Sequence, residues 1–107
     1  MSDIQHLQEK LDHIQSLYRQ WLAAKEVLER SRNELKQALK IMGELEAAYY
    51  SPEYSDLLHA DAQGLLDTKT PGEYSVMSED TIFDELIDKD QALWATLRLC
   101  INHLDRQ

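Results

Sequence analysis

Asp56, His59 and Asp61 are the residues of this chain whose types could do chemistry most directly, because two carboxylates and an imidazole are what a divalent ion takes as ligands. Their spacing argues against it. His59 and Asp61 stand two apart, which on a helix points them to different faces, so a metal site or a small enzyme built on the three would need a loop there. His6 and His13 share a helical face but lie two turns apart, too far to chelate one ion within a chain, and a solvated face is the plainer reading. Cys100 is the single cysteine; within Leu97, Leu99 and Ile101 it reads as a small buried hydrophobe, without the exposed, electropositive pocket that would activate the thiol. No Gly-rich phosphate loop, zinc-spaced Cys/His pair or nucleophile elbow is present. The expectation is therefore no enzyme, no cofactor and no metal.

Recognition chemistry is better represented. Asp80, Asp84 and Asp88 recur every four residues with Glu85 beside them, which stacks carboxylates on one helix face and costs a few tenths of a kcal/mol per like-charge pair. A solvated face that keeps the chain soluble is the plain reading; a basic protein partner is the functional one. Tyr49, Tyr50, Tyr54 and Tyr74 gather around one junction, as core packing at a corner or as an aromatic-lined cleft. The candidate partner-binding residues are thus Asp80, Asp84, Glu85, Asp88, Tyr50 and Tyr54.

The elements that must position these residues are helical. With 3 Gly and 2 Pro in 107 residues and an abundance of Leu, Ala, Glu, Lys and Gln, the composition favours long helices in one small domain, residues 1–107. From Ile4 to Tyr49 apolar residues recur at alternating steps of three and four, an a/d heptad with Ile4 at a. Lys25, Arg32 and Glu46 occupy a positions, where their stems can pass the seam or pair with an acid such as Asp90. Either the helix bends back near Arg30 to Asn33 or a partner chain covers part of it; the unbroken phase favours a continuous helix over 3–50, roughly 70 Å long at about 1.5 Å per residue, with self-association into a homodimer expected.

Ser51-Pro52 stops that helix, since the residue before proline avoids helical backbone. Residues 51–77 read as a compact linker with a short helix from Glu53 to His59, a turn at Gly64 and a loop through Thr70-Pro71-Gly72. Residues 78–105 read as a last helix or kinked pair of helices, N-capped by Ser78, burying Phe83, Leu86, Leu93, Leu97, Cys100 and Leu104 and kinking near Asp88 to Asp90. The expected fold is all-α, a coiled-coil-like bundle whose C-terminal helix returns antiparallel to the first.

Charge separates the halves. Residues 1–50 carry eight acids and seven bases, residues 51–107 twelve acids and four bases, so nearly all of the net −9 lies in the second half. Direct binding to nucleic-acid phosphates or anionic membranes is disfavoured, no apolar run is long enough to span a bilayer, and a cytoplasmic address is expected.

The stretch from Glu46-Ala-Ala-Tyr-Tyr-Ser-Pro-Glu-Tyr through Ala60-Asp61-Ala62-Gln63-Gly64-Leu65-Leu66 to Val76-Met77-Ser78-Glu79-Asp80 resembles a bacterial family, domain-of-unknown-function family 4298. The resemblance covers about residues 1–95 and is most specific over 49–83. It implies a long first helix, a paired-tyrosine junction, an acidic turn and a final helix, in that order. The chain departs from the family pattern in the loop around Thr68 to Tyr74 and at Tyr54, where a tryptophan is common. The resemblance implies no activity. Sequence thus favours a non-enzymatic helical protein–protein interaction module with an acidic face. The alternatives are an acidic inhibitor or decoy of a basic protein, antitoxin-like or mimicking nucleic acid, and a small metal protein using Asp56, His59 and Asp61.

Overall fold

A computed structural model describes residues 2–105; residues 1, 106 and 107, the ends of the expected single domain, lie outside the described residues. Three helices follow one another: α1, Ser2–Tyr49; α2, Pro52–Ala62; and α3, Thr81–Leu104. Among the described residues there is no strand, and the fold is all-α. No helix among them is long and apolar enough to cross a membrane.

By its contacts the chain divides into two units, Met1–Lys40 and Ile41–Gln107. The first is helical throughout its described length, and nothing in its sequence interrupts it: no Gly or Pro occurs before Gly43. Local i, i+4 hydrogen bonds line its polar surface, from the Gln8 amide to Asp12 at 2.9 Å and from the Gln20 amide to the Ser16 hydroxyl at 3.1 Å. From Asp3 to Lys40 every side chain is exposed apart from the half-buried Ser16. The heptad residues share that exposure, with Ile4 at 69%, Leu11 at 55%, Trp21 at 51% and Leu28 at 59%.

The second unit holds the buried side chains. The last turns of α1, together with α2, α3 and the loop over 63–80, make up this unit, and among the described residues its buried side chains are Ile82 and Leu86. Within this unit α3 runs against the end of α1 in the opposite sense: Tyr49 shares a cleft with Thr81 and Ile82, whereas Glu46, one turn earlier in α1, meets Lys89, two turns later in α3.

Local chemistry sets the boundaries. Ser51 adopts extended backbone and Pro52 opens α2 at its first turn, where a missing N–H costs nothing. α2 ends in a Schellman motif: the Leu65 N–H donates to the Ala60 carbonyl at 3.0 Å and the Gly64 N–H to the Asp61 carbonyl at 2.9 Å, with Gly64 at φ 73°.

Four expectations are corrected. The short helix extends beyond His59 to Ala62. α3 starts at Thr81 and not at a Ser78 cap, because Asp80 takes left-handed backbone, φ 64°, and its carbonyl accepts the first helical bond from the Asp84 N–H at 2.8 Å. The expected break near Asp88 to Asp90 is absent, since α3 continues unbroken to Leu104; Asp90 faces solvent, so a carboxylate there displaces nothing apolar. Cys100, expected to be buried, is exposed, as are Phe83, Leu97 and Leu104, while Leu93 is half-buried.

Candidate functional site

The corner between α1 and α2 is built from Tyr49, Tyr50 and Tyr54. Helix α1 closes with the Tyr50 N–H on the Glu46 carbonyl at 3.0 Å and the Ser51 hydroxyl on the Ala48 carbonyl at 2.7 Å, so the chain can turn without stranding those acceptors. Pro52 then starts α2 within two residues, which brings Tyr54 back under Tyr49. The Tyr49 ring lies 5.0 Å from that of Tyr50 at 74° and 5.0 Å from that of Tyr54 at 58°, both edge-on or tilted, as ring quadrupoles favour.

Tyr54 ties this corner to the loop ahead of α3, its phenol donating to the Val76 carbonyl at 3.3 Å. Burial, and secondarily the neighbouring Tyr49, raises its pKa above the ordinary phenol value. Tyr49, Tyr54, Leu58, Met77 and Ile82 line a cleft of about 160 Å³. Tyr50, at the outer edge, is 66% exposed. Tyr74, expected in the same cluster, is 92% exposed and stands in the 63–80 loop, outside the set of three packed rings.

The carboxylates Asp80, Asp84, Glu85 and Asp88 are all exposed. Asp84 stands in the first turn of α3, where negative charge complements the helix dipole, Glu85 and Asp88 follow in the next turn, and Asp80 sits at the N-cap without making a side-chain cap hydrogen bond. The cation nearest in sequence, Lys89, is committed elsewhere: its ammonium lies 3.0 Å from Asp90 and 3.6 Å from Glu46. The hydrogen bond to Asp90, followed by the charges of Asp90 and Glu46, raises its pKa against the opposing effect of desolvation. Asp90, weighed from sequence as one partner for Lys25 or Arg32, has its neighbour Lys89 instead. Sequence reading missed the bridge from Glu46 to Lys89. The signal was present in half: Glu46 is a carboxylate at a seam position, but which cation meets it depends on tertiary packing.

Asp56, His59 and Asp61 do not form the metal cluster considered from sequence. Among the described residues no three His, Cys, Asp or Glu side chains gather closely enough to hold an ion, and the His59 ring instead turns its Nδ1 to the Ser55 carbonyl at 3.1 Å, one turn back on α2. The helix continues through all three residues, so no loop is present to redirect them.

The paired-tyrosine corner, the Gly64 turn and the entry to α3 fall within a family match over residues 3–99, to a domain of unknown function, DUF4298. The chain belongs to the DUF4298 family. The match covers all of α2 and most of α1 and α3, so the DUF4298 pattern spans both units. No curated protein and no solved structure gives a significant match.

Proposed function

We propose that this DUF4298 chain is a non-enzymatic helical interaction module that self-associates through α1 and offers the acidic start of α3 to a protein partner. The exposed seam of α1 carries the reading. Apolar side chains at a and d positions from Ile4 to Leu39 remain between 39% and 69% exposed, and a stripe of that length is a helix-pairing surface by type and spacing. Sedimentation over a concentration series tests it: the expected species is a dimer of about 25 kDa, twice the 12.5 kDa of one chain. Leu11→Glu with Leu28→Glu should return it to monomer with α3 intact. A wild-type chain that sediments as monomer at every concentration would remove the self-association.

The acidic reading rests on Asp80, Asp84, Glu85 and Asp88 being exposed while Lys89 is engaged by Glu46 and Asp90. It supports a basic protein as partner, whether as a stable complex or as the target of an acidic decoy, in the cytoplasm. Capture of partners by wild type and by the Asp80→Asn, Asp84→Asn, Asp88→Asn variant checks this; identical partner sets would sink it.

A further inference from the structure

The seam of α1 is interrupted by two cations, and their placement restricts how a second copy can lie on it. Lys25 and Arg32 are both a residues. In a parallel, in-register pair, a residues face their own counterparts, so Lys25 would meet Lys25 and Arg32 would meet Arg32 inside the interface. Two like-charge contacts in adjacent heptads, each partly desolvated, oppose that arrangement. In an antiparallel pair, a residues face d residues. Every d residue from Leu7 to Met42 is apolar, so each cation then meets an aliphatic or aromatic surface.

A second observation points the same way. Met1–Lys40 holds six acids and seven bases, net +1, whereas Ile41–Gln107 holds fourteen acids and four bases, net −10. Because residue 41 follows residue 40, a parallel pairing of the seam brings the two residues 41 together, and with them the start of two strongly acidic units. An antiparallel pairing sets them roughly 54 Å apart at about 1.5 Å per residue. That is several times the ~8 Å over which charges interact at physiological salt.

We infer that the occupant of the α1 seam is a second copy of this chain in antiparallel orientation, centred near Ala23, with Trp21 of each copy against Lys25 of the other; this rests on the self-association reading above. In that register Ile14 faces Arg32, Leu11 faces Leu35 and the outermost layer is Ile4 on Met42. Every a and d residue from Ile4 to Met42 then has a partner. Sliding by one heptad in one direction leaves Leu39 uncovered. Sliding in the other sets Leu7 against Glu46, which is already engaged by Lys89. The two symmetric Lys25 ammonium to Trp21 contacts place each seam cation over an indole face, where a ring quadrupole attracts it.

The test uses the full chain with Cys100→Ser, so that introduced thiols are the only ones. Leu11→Cys and Leu35→Cys chains are mixed, allowed to exchange and oxidised, then run without reductant. The expected result is a disulfide between the two variants and none when either is oxidised alone, because in this register each residue lies roughly 36 Å from its own counterpart. Since a thiol in the seam weakens packing, a second measurement leaves the seam untouched: a spin label at Glu9→Cys, on the outer face, should report an interlabel separation of about 42 Å or more, against roughly 20 Å for a parallel pair. A dimer with a self-linked Leu11→Cys or the shorter label distance overturns the orientation and leaves self-association standing. A monomer at all concentrations overturns both.

Discussion

Gly64 stands at φ 73°, and a Cβ built there would meet nothing within 4 Å. Its requirement is therefore conformational alone: Gly64→Ala should cost about 1–2 kcal/mol through left-handed backbone, and Gly64→Asn less, in chemical denaturation of the chain. Tyr54 offers a test by pH. A phenol whose pKa rises on folding holds its proton more tightly in the native chain, so its contribution is complete below the unfolded value of about 10 and is lost as pH climbs through the folded one. Lys89, also raised, changes in the same direction. The melting temperature should thus fall as pH rises above ~10, less steeply in Tyr54→Phe, which keeps the ring but does not titrate. Equal slopes would deny Tyr54 that role. At neutral pH the same substitution should cost about 0.5–1 kcal/mol for the bond to Val76.

Among the helices, α3 shows most plainly what sequence makes legible and what it does not. Its apolar stripe predicted a helix correctly, and Leu86 is buried as that stripe implied, but Phe83, Leu97, Cys100 and Leu104 on the same stripe are exposed. Periodicity marks which residues could share a face; it does not say whether another element covers it. The prediction is a contrast along one helix: Leu86→Ala, at 8% exposure, should destabilise by about 2–3 kcal/mol, and Leu99→Ala, at 71% exposure, by less than about 0.5 kcal/mol. Breaks were legible where a residue type forces them, at Ser51-Pro52 and Gly64. The start of α3 was not, since an aspartate in left-handed backbone at position 80 leaves no pattern, while Ser78 offers a conventional cap signal that the chain does not use. At the candidate site, the tyrosine corner was legible from the crowding of aromatics beside a proline. Its exclusion of Tyr74 and the Glu46 to Lys89 bridge were set by packing.

At the scale of the molecule the two units differ in what holds them. Ile41–Gln107 has buried side chains of its own, whereas Met1–Lys40 has an amphipathic helix whose apolar seam is exposed. In the proposed dimer Lys25 and Arg32 would moderate the affinity of that seam, so replacing both by leucine should tighten it about tenfold or more in sedimentation, since charged a residues trade stability for register. The unburied helix of the first unit also has a consequence for backbone amide exchange. With no tertiary cover of its own, residues 4–39 are protected in a lone chain only by helix–coil equilibrium, while residues 81–87 draw on the packing of Ile82 and Leu86. On the proposed self-association, deuterium uptake over 4–39 should therefore slow as protein concentration rises and stay constant over 81–87, which would make the first helix a gauge of how much of the protein is assembled at any moment.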